Sequence, residues 1–147
     1  MKKIMMFTAT ACLALFFSAA AVHAQGWIDR AEEGKQVVAG GNLMIAYGNK
    51  LAAATNPDRA WLADKGHILM KKGFSYMDNG QMDFSGEASD FMQQIGNQLL
   101  ESGGVLLKIG RKQGPLTQEE KDAIAKQAKL LKDFGNLMLK NGQLMTG

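Results

Sequence analysis

The sequence predicts an all-α protein, an antiparallel up-down-up-down four-helix bundle with glycine at heptad spacing in every helix. Three observations carry that expectation. Glycine recurs at steps of seven in four rows, Gly34-Gly41-Gly48, Gly66-Gly73-Gly80, Gly96-Gly103-Gly110 and Ala128-Gly135-Gly142, with Ala128 the only departure. The first members of the rows lie 32, 30 and 32 residues apart, a repeat that suits one helix and its turn. The residues beside the glycines follow a helical period, and no segment holds the alternation of a strand for long enough to compete. The repeat is closest between Gly41-Asn42-Leu43-Met44-Ile45-Ala46-Tyr47-Gly48 and Gly135-Asn136-Leu137-Met138-Leu139-Lys140-Asn141-Gly142.

The chain opens with Lys2 and Lys3, an apolar run from Ile4 to about Val22, and small residues at Val22-His23-Ala24. This is the pattern of a signal peptide covering residues 1–24, so the expected domain is 25–147 in an exported protein, periplasmic or secreted. The one cysteine, Cys12, falls inside the apolar run, which leaves the expected domain without disulfides or thiolate ligands. Removing Lys2 and Lys3 from the 17 basic residues leaves 15 against 14 acids, a net charge of about +1. That balance does not support nucleic-acid binding.

The first helix is expected over about 29–54, with Asp29 as its cap and Glu32 as the acid three residues on. Asn56-Pro57 is expected to start the second, over about 57–79, with Asn56 capping and Pro57 in the first turn, where its missing N–H costs nothing. Gly80 reads as a left-handed terminal residue. Ser85 then caps a third helix over about 86–109, and Gly114-Pro115 breaks it. Thr117-Gln118-Glu119-Glu120 is a capping box that opens the fourth helix, about 118–144. The connections are short, so neighbouring helices are expected to run in opposite directions.

With the glycine position written as heptad letter a, position d carries Val37, Met44, Leu51, Leu62, Leu69, Tyr76, Met92, Leu99, Leu106, Ile124, Leu131 and Met138. At 100° per residue, a lies between d and e, so the glycines sit inside the apolar stripe. About seven interior glycines at about 1 kcal/mol each are a cost comparable with the net stability of a domain. Close approach of helix backbones is the expected compensation, at Gly34, Gly41, Gly48, Gly66, Gly73, Gly96, Gly103 and Gly135. The rival expectation is a glycine-lined interior that carries a small apolar ligand.

The apolar face is wider than one core contact requires. Trp61 and Ile68 on the second helix, with Leu130, Phe134 and Leu137 on the fourth, form the expected surface for a homo-oligomer or a protein partner. Membrane-surface contact is not expected from the basic groups, because acids interleave with them.

Chemistry has little to work with. His67 is the only histidine outside the signal region, and no nucleophile elbow or paired Glu-x-x-His is present. Acids cluster at helix starts, where they complement the helix dipole. The protein is therefore expected to be a non-enzymatic bundle without a cofactor, acting by self-assembly or partner binding. The alternative is copper held by Met70, Met77 and His67, since thioethers and an imidazole suit Cu(I).

Overall fold

The computed structural model describes residues 29–84 and 86–147. The expected signal peptide and the expected cap Ser85 lie outside the described residues. Four helices follow in order: α1 (Arg30–Ala53), α2 (Arg59–Met82), α3 (Gly86–Gly110) and α4 (Gln118–Thr146). No strand occurs among the described residues.

Local chemistry explains most of the boundaries. The Asp29 carboxylate accepts the Ala31 N–H at 3.2 Å, whereas Glu32 turns away from the cap to meet Lys35 at 3.3 Å. α2 begins two residues later than expected. Its cap is Asp58, which accepts the Trp61 N–H at 2.7 Å, so Asn56 and Pro57 belong to the linker. Aspartate caps as well as asparagine, and Asp58 is the one whose side chain reaches the free N–H at the third helical position. At α4 the capping box is complete: the Glu120 N–H donates to Thr117 Oγ1 at 3.1 Å, and the Thr117 N–H donates to Glu120 Oε1 at 3.0 Å.

Gly80 corrects the expected end of α2. It is not left-handed, and the helix continues through it to Met82. A Cβ at Gly80 would stand 3.0 Å from Met92 Cβ and 3.2 Å from the Ser89 carbonyl oxygen, so this glycine is used for packing against α3. Among the described residues the left-handed glycines are Gly86 (φ 58°) and Gly114 (φ 82°), the latter in the α3–α4 turn.

The helices pack most closely as two pairs, α1 with α4 and α2 with α3, and α3 makes the looser contacts with α1 and α4. Between the pairs lies the core. Val37 and Met44 from α1, Leu62 and Leu69 from α2, Met92, Leu99 and Leu106 from α3, and Leu131 and Met138 from α4 are all buried. Each such side chain contributes about 1.5–3 kcal/mol by leaving water.

Candidate functional site

The two close pairs are joined along glycine seams. In the α1–α4 seam, Gly34 faces Gly142, Gly41 faces Gly135 and Gly48 faces Ala128, so residue numbers fall on α4 as they rise on α1. A Cβ at Gly41 would lie 2.7 Å from the Gly135 oxygen and 2.7 Å from the Leu139 nitrogen; one at Gly135 would lie 2.7 Å from the Gly41 oxygen and 3.0 Å from the Ile45 nitrogen. The near-identical octapeptides therefore meet reciprocally. In the α2–α3 seam, Gly66 faces Gly103 and Gly73 faces Gly96 in the same manner, with added Cβ atoms 2.7–2.8 Å from the opposite glycine oxygens. The row continues past the glycines to Gly110 against Arg59 and to Gly80 against Ser89, whose hydroxyl donates to the Gly80 carbonyl at 2.6 Å.

The space above these glycines is thus filled by partner backbone. A hydrogen on each glycine Cα points toward an opposing carbonyl, a contact worth about 0.5–1 kcal/mol in recurring helix–helix geometry. Met70 Cγ lies 2.7 Å from the Cβ position of Gly103, and Met77 Cγ packs similarly over Gly96. Two of the three residues considered for copper are hence lids over the α2–α3 seam. His67 is exposed. Among the described residues, no group of three or more His, Asp, Glu or Cys side chains is placed to hold a metal ion.

Two neighbouring glycines differ from the seam. Gly40, which the heptad rows do not contain, faces across to the other pair, where a Cβ would meet Ile95 Cδ1 at 2.7 Å and Tyr76 Cε1 at 3.2 Å. Gly104 has nothing within 4 Å of its Cβ position.

The residues expected to form one partner surface occupy two separate places. Trp61 is half-buried, carries Lys65 Nζ 5.5 Å from its ring centroid, and lines an open groove of about 580 Å³ with Lys50, Ala53 and Ala54 of α1 and its linker. No residue of α4 lines that groove. Ile68 is half-buried on α2, and α2 and α4 are not a packed pair. On α4, Leu130 is half-buried, Phe134 packs against the core, and Leu137 is 49% exposed. Leu144, one step further along the row, is 70% exposed.

Arg59 forms the most connected polar centre, which the sequence reading passed over. All five of its N–H donors are used. Nε donates to the Gly114 oxygen at 2.7 Å; one terminal nitrogen donates to the Ile109 oxygen at 2.8 Å and Glu120 Oε2 at 3.0 Å; the other donates to the Pro115 oxygen and Glu120 Oε1, both at 2.9 Å. The start of α2 is thereby tied to the end of α3, the following turn and the capping box of α4. Hydrogen bonds from Arg59 and from the Thr117 backbone hold the Glu120 carboxyl down at about 2, against the opposing effect of burial. A signal was present in the sequence: Arg59 lies seven residues before Gly66, at a position where a small residue would be expected.

A second polar chain joins α3 to α4. Gln98 donates to Ser102 Oγ at 3.1 Å, and the fully buried Ser102 hydroxyl donates to Gln127 Oε1 at 2.7 Å. This fixes the level of α3 against α4 more tightly than apolar contacts alone. The five Arg59 donors and the Ser102 hydroxyl are committed to neighbours within the chain. No protein family, curated protein or solved structure matches this sequence.

Proposed function

We propose that this chain is an exported, non-enzymatic, antiparallel up-down-up-down four-helix bundle that works through contact with another protein chain. The observation that carries the reading is the row Leu130, Leu137, Leu144 on α4. Its last two members, Leu137 and Leu144, stay 49% and 70% exposed while the glycine seams are filled from within. Apolar side chains at regular spacing on one exposed helix face mark a contact surface better than isolated ones do. The reversed numbering along both seams supports the antiparallel arrangement, and the Arg59 centre supports a structural role because its five donors are spent inside the bundle. The filling of the seams argues against a glycine-lined slot for a carried ligand, and the packing of Met70 and Met77 over glycines argues against a copper site there.

Native mass spectrometry of protein purified after export tests this reading, because subunit count and bound mass are read together. The expected result is an assembly without additional mass. A monomer carrying copper or a small organic molecule would overturn it.

A further inference from the structure

We propose that the partner of the α4 face is a second copy of this chain. Two α4 helices pair antiparallel about a two-fold axis at Leu137, setting Asp133 of each copy beside Lys140 of the other. The inference rests on the reading of α4 as the contact face and adds the occupant and its direction.

A two-fold contact uses the same patch twice, so that patch must complement itself. The α4 face meets this requirement in shape and in charge. An axis at Leu137 sets Leu137 against its counterpart and Leu130 against Leu144 of the second copy, giving one continuous apolar row at the seven-residue spacing of a two-helix seam. On one flank of that row the exposed residues are Lys126, Asp133 and Lys140. Asp133 lies four residues before Leu137 and Lys140 three after it, so reversal of direction brings opposite charges together twice. Parallel pairing would set this flank against the opposite one, which carries Gln127 and Phe134, and would form neither charge pair. Charge therefore selects the antiparallel form. Asp133 already bonds Lys129 on its own helix and would be shared between the two cations. The other flank is committed to its own bundle, where Gln127 is buried against Ser102 and Phe134 packs on the core.

The corresponding row on α2 is less suited. Ser75 interrupts it between Ile68 and Met82, and Lys65 covers Trp61.

Sedimentation velocity across the micromolar range tests the pairing, with circular dichroism confirming that each variant keeps its helices. The wild type is expected to show a concentration-dependent dimer, and Leu137→Glu a monomer. Asp133→Lys and Lys140→Asp should each weaken the dimer about tenfold, the sum of two exposed pairs turned repulsive. The double variant Asp133→Lys/Lys140→Asp should recover it. Loss of the Lys129 bond is common to Asp133→Lys and the double variant, so recovery reports the contact between copies. A dimer indifferent to Leu137→Glu would overturn the α4 face itself. One that Leu137→Glu abolishes but the double variant does not recover would overturn only the antiparallel pairing. A wild type that stays monomeric throughout would overturn the second copy as occupant.

Discussion

Gly103 and Gly104 are adjacent in α3 and have opposite surroundings. A Cβ at Gly103 would strike the Gly66 oxygen at 2.7 Å and the Met70 nitrogen at 2.8 Å, whereas one at Gly104 would meet nothing within 4 Å. The seam side of the helix is defined by side chains that must be absent. The core side, where Leu99 and Leu106 are fully buried, is defined by side chains that must be present. One bundle thus contains two contacts with opposite responses to mutation: the core fails when made smaller and the seams fail when made larger.

The largest effect is expected from the core. Leu99→Ala should cost about 2–5 kcal/mol in urea unfolding, since the residue is fully enclosed and its neighbours are shared among helices. Next comes the seam. Gly103→Ala should cost about 1–3 kcal/mol, because rigid backbone receives the added methyl and the strain exceeds the helix-propensity gain. A stabilised Gly103→Ala variant would show that close approach is not what keeps glycine there. Gly40→Ala should cost less than Gly41→Ala, as the first meets the ends of Ile95 and Tyr76 and the second meets the backbone of Gly135 and Leu139.

The Arg59–Glu120 clasp differs from both contacts in depending on pH. Glu120 has a folded value near 2, below the ordinary 4.5, so its contribution is complete above about 4.5 and disappears as pH falls toward 2. Glu120→Gln should therefore melt below the wild type at neutral pH, with the gap closing between pH 4.5 and 2. A gap that stayed constant across this range would remove the carboxylate from the explanation. The smallest change is expected at Gly104, where alanine should stabilise the protein by about 0.5–1 kcal/mol, measured by thermal melting.

The four helices could be read in the sequence because the glycine rows, the apolar period and the Thr117 capping box all agreed. Gly80 could not be assigned in the same way. Glycine both ends helices and lets them approach, and only the position of Ser89 and Met92 decides between those uses. Arg59 was hidden by a row taken to start at Gly66, and its five acceptors come from segments 50 to 61 residues away. Trp61 and Leu130 share a heptad letter, but a letter gives an angle on one helix and says nothing about which edge of the bundle that angle meets. The exposed leucines were partly legible: Leu130, Leu137 and Leu144 share one heptad letter by spacing, while the extent to which each stays exposed depends on the packing of α4 against its neighbours.

The two seams also differ in the order in which a folding chain can make them. Gly73 and Gly96 are 23 positions apart and joined through one turn, whereas Gly41 and Gly135 are 94 positions apart. Closing the longer loop costs about 1.2 kcal/mol more in chain entropy if nothing else has formed. The α2–α3 hairpin is therefore expected to be the early template, and the join between the two ends of the domain the late step. Alanine at Gly73 should then slow refolding, while alanine at Gly41 should chiefly hasten unfolding.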